Sequence, residues 1–86
     1  MQFFVYILES DRGRHYIGFT SNLQERIKKH NAKHKGFTAT SETWKVIIFI
    51  ETKTKKEAME LERKSKSFKN YQRAITYFKK LDGKVG

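Results

Sequence analysis

Residues 3–20 read FFVYILESDRGRHYIGFT, and this stretch decides the fold. Its first part, Phe3 to Leu8, is a continuous apolar and aromatic run of strand length. Ser10 to Gly13 is a turn signal, because glycine readily adopts positive φ and Asp11 can hydrogen-bond the backbone locally. His15 to Thr20 is again typical of a strand. The chain is therefore predicted to begin with a β-hairpin.

The middle of the chain predicts one helix and one further strand. Ser21 with Gln24 has the spacing of a capping box and predicts a helix from Asn22 to about Asn31. Residues 33–42 show no periodicity and are predicted to form a loop. Trp44 to Thr52 is the strongest strand signal in the sequence.

Two more helices are predicted to complete the fold. Thr54 with Glu57 forms a second capping box, which opens a helix with a buried stripe of Ala58, Leu61, Ser65 and Phe68. Asn70 is a candidate cap for a last helix, with inward residues Tyr71, Ala74, Ile75, Phe78 and Leu81.

The order β-β-α-β-α-α predicts an α+β domain with a small three-stranded sheet, antiparallel or mixed, flanked by helices. The direction of the third strand is left open. With no proline, repeat or linker to divide the chain, residues 1–81 are predicted to form a single domain. Residues 82–86 are predicted to be a frayed tail.

The chain carries a large positive charge that is unevenly distributed. Its 86 residues include 19 Lys and Arg against 9 Asp and Glu, a formal net charge of +10. Residues 1–51 contribute +3 and residues 52–86 contribute +7. A compact body this positive repels itself, and a bound polyanion relieves the repulsion. We expect nucleic acid as the partner, with DNA favoured over RNA; a surface that only confers solubility is the alternative.

Composition also excludes several classes of protein. The chain has no Cys, which excludes disulfides and Cys-ligated metal centres. The longest mostly apolar run, Val46 to Ile50, is far too short to cross a bilayer. Met1 to Phe3 leads directly into a strand pattern and not into a signal peptide. We therefore expect a cytoplasmic location and no membrane partner, while the oligomeric state stays open.

Two tyrosines in the predicted hairpin are candidates for chemistry. Tyr6 lies inside an apolar strand, and Tyr16 directly precedes Ile17 and Gly18 in the next one. If the numbers of residues paired across the two strands add up to an even sum, both phenols lie on one face of the sheet. A one-residue bulge would place them on opposite faces. Taken alone, strand tyrosines more commonly pack with a hydrogen-bonded tip. A glycine inside a strand marks either a bulge or the close approach of another group.

Three ionisable residues flank the predicted helix stripes. Arg26 and His30 are four residues apart and share one helical face. An arginine there can hold a phosphate and a histidine can transfer a proton near neutral pH, but a solvated face explains the pair when it is taken alone. Glu62 borders the stripe of its helix. It is a candidate oxygen ligand for Mg²⁺ or, equally, the partner of a nearby lysine in a salt bridge.

In combination, these residues resemble the GIY-YIG nuclease family, in particular its small single-domain bacterial members. Tyr16-Ile17-Gly18 is the second half of the family's name, while Phe4-Val5-Tyr6 keeps only the tyrosine of the first half. The constellation continues with Arg26 and His30 on the first helix and Glu62 on the second. The resemblance covers nearly the whole chain.

The resemblance implies a metal-dependent endonuclease that hydrolyses phosphodiester bonds with one divalent cation, Mg²⁺ or Mn²⁺. It implies Glu62 as the metal ligand and Arg26 as the group that stabilises charge on the phosphate. Tyr6 is implied as the general base, with His30 lowering its proton affinity, and Tyr16 as the group that orients the water or the phosphate. A free phenol has a pKa near ~10, so a neighbouring cation has to lower it. Without a second domain to read sequence, we expect structure-dependent or weakly sequence-specific cleavage.

Two other functions stay open. One is a nucleic-acid-binding module on the same fold with lost or vestigial catalysis. It is favoured by Phe4 in place of the motif glycine, and by Asn70, which lies closer to Glu62 than the asparagine of many family members. The other is an assembly protein whose basic face binds an acidic protein, but such a protein would not need Arg26 and His30 together with Glu62.

Overall fold

The computed structural model describes residues 2–32 and 43–85, without the side chains of residues 30–32. In chain order its elements are β1 (Phe3–Ser10), β2 (His15–Thr20), α1 (Leu23–Ala32), β3 (Trp44–Thr52), α2 (Lys55–Lys66) and α3 (Tyr71–Lys80). This is the predicted α+β order, β-β-α-β-α-α. The predicted loop at 33–42 lies outside the described residues. None of these three helices is long and apolar enough to span a bilayer.

The three strands form one antiparallel sheet in the order β2-β1-β3. The pairing settles the direction of β3, which the sequence pattern left open. β1 occupies the centre because it is apolar on both faces, and its residues Val5, Tyr6, Ile7 and Leu8 are all fully buried. The turn between β1 and β2 is confirmed, since Gly13 has a φ of 81° and Ser10 accepts two backbone hydrogen bonds across the turn.

One face of the sheet carries the main hydrophobic core. Alternation along β1 directs its odd-numbered residues to this face, and α2 and α3 cover it. The buried members of this core are Val5, Ile7, Ile17, Ile48, Ala58, Ala74 and Phe78. Tyr6 and Gly18, which are paired across β1 and β2, therefore face the other side of the sheet. α1 lies against β3.

Two of the predicted helix caps are confirmed. Oγ1 of Thr54 accepts a hydrogen bond of 3.1 Å from the backbone N–H of Glu57 at the start of α2. Oδ1 of Asn70 accepts one of 2.9 Å from the N–H of Arg73 at the start of α3. Each cap satisfies a backbone donor that has no partner within its own helix.

The predicted cap of α1, Ser21, is wrong by one residue. Oδ1 of Asn22 accepts a hydrogen bond of 3.1 Å from the N–H of Glu25, and α1 begins at Leu23. The cause lies in the preceding strand, where Oγ1 of Thr20 accepts the backbone N–H of Asn22 at 3.1 Å. This local turn carries the chain one residue further before the helix starts.

The residues after α3 return to the sheet, although the sequence predicts fraying from Asp82. Asp82 takes a left-handed conformation with a φ of 62°, which reverses the chain at the end of the helix. Gly83 then passes so close to α3 that an added Cβ would lie 2.8 Å from the carbonyl oxygen of Phe78. Lys84 and Phe49 exchange backbone hydrogen bonds of 2.8 and 2.9 Å. The described part of the tail therefore pairs with the outer edge of β3.

Candidate active site

The two tyrosines of the hairpin lie close together on one face of the sheet. Tyr6 is opposite Gly18 and Leu8 is opposite Tyr16, in a register that runs continuously from Phe4 to Glu9. The numbers of the paired residues therefore have an even sum, and both tyrosines lie on the same face of the sheet. The ring centroids of Tyr6 and Tyr16 are 6.2 Å apart, with 35° between the ring planes.

Gly18 leaves the space that both tyrosine rings occupy. A Cβ at this position would lie 2.8 Å from Oη of Tyr6 and 2.9 Å from Cε2 of Tyr16. Both distances are shorter than van der Waals contact, so a larger residue would have to displace a ring or the strand. The described residues include one glycine with positive φ, Gly13. Lack of room, and not a special backbone conformation, therefore explains the glycine at position 18.

Tyr6 is fully buried, and among the described side chains, those of residues 2–29 and 43–85, none forms a hydrogen bond of good geometry with its Oη. The guanidinium of Arg26 nevertheless lies close enough to interact with this hydroxyl. Burial, followed by the neighbouring phenol of Tyr16, raises the pKa of Tyr6 to about 12.

Arg26 and Glu62 bring opposite charges to Tyr6 from two different helices. The Arg26 cation, on α1, lies close enough to lower the pKa of Tyr6, and the Glu62 carboxylate, on α2, raises it. Both residues are half-buried. Lys66 pairs with Glu62 at 3.4 Å, one helical turn further along α2. His30 lies on α1 one turn after Arg26, but its side chain falls outside the described part of the chain.

The donor groups of the site suit a weakly held hard cation. Among the described side chains, those of residues 2–29 and 43–85, no group of three or more His, Asp or Glu is assembled that could hold a metal by itself. A single carboxylate, that of Glu62, is consistent with Mg²⁺, which keeps most of its waters and takes other ligands from phosphate. The carboxylate of Glu62 is paired with the ammonium of Lys66, the salt bridge that the sequence left open as the alternative to a metal. A cation at Glu62 would have to displace or share this pairing.

Phe4 stands where the motif that the chain resembles has its first glycine, and it is half-buried. Its centroid lies 6.0 Å from that of Phe49 on β3, with the rings edge to face at 68°. Phe4 is on the same face of β1 as Tyr6. The departure from the motif is thus accommodated by an aromatic pair between two strands.

An aromatic pair next to Tyr16 was missed by the sequence analysis. Tyr71 was predicted to point inward, but it is 38% exposed and its ring stacks on that of His15, with centroids 4.4 Å apart. Its hydroxyl donates a hydrogen bond of 3.2 Å to the carbonyl of His15. Leu81, also predicted inward, is 44% exposed because it follows the last residue of α3. No local signal could reveal a contact between residues 15 and 71.

The chain is similar to known proteins in sequence and in fold. A sequence model of the family described as GIY-YIG catalytic domain matches residues 2–79. The solution NMR structure of a UPF0213 protein from Bacillus halodurans is similar, with a TM-score of 0.56 and 28% identity over 90% of this chain and 83% of that one. A UPF0213 protein from the VLF1-GP41 intergenic region of Autographa californica nuclear polyhedrosis virus is 59% identical over 29 residues. This match spans 34% of the present chain and only 28% of the viral protein's length.

Proposed function

The chain belongs to the GIY-YIG catalytic domain family, and we propose that it is a metal-dependent endonuclease that hydrolyses phosphodiester bonds in DNA. The observation that carries the proposal is the convergence of Tyr16, Arg26 and Glu62 around the buried phenol of Tyr6. These residues come from two strands and two helices. Packing alone does not require a cation and a carboxylate beside a buried phenol.

Arg26 supplies the charge that binds and stabilises the phosphate. Its planar guanidinium can donate two parallel hydrogen bonds to phosphate oxygens. Arg26 is half-buried, so its charge is less screened by water than that of a surface lysine. The negative charge that develops on the phosphate in the transition state is therefore stabilised by a cation already in position.

Burial favours Tyr16 over Tyr6 as the group that takes the proton from water. The family resemblance implies Tyr6 as the general base, but Tyr6 is 0% exposed while Tyr16 is 38% exposed. A water molecule has to approach the base within hydrogen-bonding distance. The raised pKa of Tyr6, about 12, also keeps it protonated in the free protein. In this assignment the buried side chain of Tyr6 helps to hold the side chains of Tyr16 and Arg26 in position.

Glu62 is the residue that would hold the divalent cation. A cation bound there, Mg²⁺ or Mn²⁺, neutralises negative charge on the phosphate and on the leaving oxygen. Glu62 itself contributes one carboxylate, and its half-buried position limits competition from water. Because a single carboxylate is a weak site, metal should bind the free protein poorly and bind better when nucleic acid is present.

The test of the proposal is a pair of matched variants on α2. Glu62→Gln removes the charge and keeps the size, while Glu60→Gln makes the same change at an exposed position two residues away. Cleavage is measured with Mg²⁺ or Mn²⁺ on duplex, flap, junction and single-stranded DNA and on RNA. We expect Glu62→Gln to abolish cleavage with DNA binding unchanged or slightly tighter, and Glu60→Gln to cut like the parent. Cleavage by Glu62→Gln at near the parent rate would contradict the metal role.

A binding module without catalysis is the second candidate function. The observation that favours it is Phe4, which stands where the family motif has a glycine and packs edge to face on Phe49. If the parent protein binds DNA but cuts no substrate in the panel, the binding module replaces the nuclease.

A further inference from the structure

A groove borders Tyr16, the base of the proposed chemistry, and its other lining residues have no role in that chemistry. It lies between the start of β2, the end of α2 and the start of α3, and its volume is about 310 Å³. This is near the lower end of the range for small-ligand pockets, which begins at roughly 300 Å³. The aromatic and basic residues that line the groove are His15, Tyr16, Lys66, Phe68, Lys69 and Tyr71.

The wall of the groove is an aromatic platform. The rings of His15 and Tyr71 are stacked with 22° between their planes, and Tyr71 keeps 38% of its surface exposed. Oη of Tyr71 is fixed by its hydrogen bond to the carbonyl of His15, and Nε2 of His15 lies 3.4 Å from a carboxylate oxygen of Glu9. Both rings are thus held in place by contacts within the domain. A flat, fixed and partly open ring is what a stacking ligand needs.

The charge of the groove selects an anionic ligand. Two of its lining residues are the lysines Lys66 and Lys69, and none of the described lining residues is a carboxylate. Lys66 is 54% exposed in its side chain, although it pairs with Glu62. Lysines on the rim of an aromatic groove match a ligand with one planar ring system and one phosphate group.

We propose that this groove holds one nucleobase of the bound strand, stacked on Tyr71, with its phosphate between Lys66 and Lys69. The inference rests on the proposed function, since the groove opens beside Tyr16 and would receive a nucleotide next to the cleaved bond. The base has to lie outside a base-paired stack, because a base within a duplex is covered on both faces by its neighbours. Unpaired or extruded nucleotides are therefore the ones that fit.

Binding of a short oligothymidine, measured without metal to prevent cleavage, tests the stacking role. We expect Tyr71→Ala to weaken binding by about tenfold, while Tyr71→Phe, which keeps the ring, stays within about twofold of the parent. Lys69→Ala should lower the slope of log affinity against log salt by about 0.7. Lys79→Ala, at the other end of α3, should leave the affinity and the slope unchanged. Equal binding by Tyr71→Ala and the parent would overturn the proposal.

An oligonucleotide with abasic sites probes the same contact on the intact protein, and so does not depend on the folding of a variant. It should bind the parent about tenfold more weakly than oligothymidine, and Tyr71→Ala should bind both alike. If the abasic strand binds the parent as tightly as oligothymidine, the groove holds only phosphate and the proposal is wrong. If the affinity depends on the base but the protein cuts no substrate, the groove proposal is supported and only the catalytic proposal fails.

Discussion

Tyr6 and Gly18 face each other across β1 and β2, and a Cβ on Gly18 would lie 2.8 Å from Oη of Tyr6. The pair joins the two halves of the family motif into one packing unit. The tyrosine of the first half occupies the space that the glycine of the second half leaves empty. The two residues therefore depend on each other, and substitutions at the two positions should not act independently.

We expect Gly18→Ala to destabilise the domain by about 1–3 kcal/mol, because the added methyl group overlaps both tyrosine rings. The measurement is urea unfolding. Tyr6→Phe in the same chain should recover part of the loss, since it removes the atom at 2.8 Å. Gly13→Ala is the control: its cost comes from a φ of 81°, so Tyr6→Phe should not relieve it.

Tyr6→Phe alone should stabilise the protein by about 1 kcal/mol, because it removes a buried hydroxyl with no hydrogen-bond partner of good geometry among the described residues. The same variant should cut DNA more slowly. Tyr71→Phe is the contrasting case, since it removes a hydroxyl that does donate a hydrogen bond and should lose stability slightly. A loss of stability in Tyr6→Phe would mean that the phenol has a partner.

Stability should fall at high pH through Tyr6. Its pKa is about 12 in the folded protein and near ~10 in the unfolded chain, so its contribution is fully present below pH ~10. Above that pH the unfolded chain ionises first, and the stability of the parent relative to Tyr6→Phe should decrease by up to about 1.4 kcal/mol per pH unit. Urea unfolding of both proteins between pH 9 and 11 measures this. If the stabilities of the two proteins change in parallel with pH, the pKa of Tyr6 is not shifted.

Binding to duplex DNA should weaken steeply with rising salt concentration. With a net charge of +10, most of the binding free energy should come from the release of counterions from the DNA. Each phosphate contact contributes about −0.9 to the slope of log affinity against log salt. The measurement is a titration at several salt concentrations. An affinity that does not change with salt, or no binding at low salt, would contradict nucleic acid as the partner.

Much of this fold follows from patterns that are local in the sequence. Apolar runs, turn chemistry at Gly13 and the caps Thr54 and Asn70 were all predictable, because hydrogen bonds within a few residues decide them. The start of α1 was missed by one residue because Thr20, in the preceding strand, holds the N–H of Asn22. The antiparallel direction of β3 was open because strand direction depends on partners far away in the chain.

The order of the elements, the positive charge and the residues that resemble the family motif can all be read from the sequence. The burial of Tyr6, the exposure of Tyr16 and the stacking of Tyr71 on His15 cannot, because burial and ring contacts depend on which elements pack together. Residues 15 and 71 meet because α3 begins beside the edge strand β2, and no pattern within either segment encodes that distance.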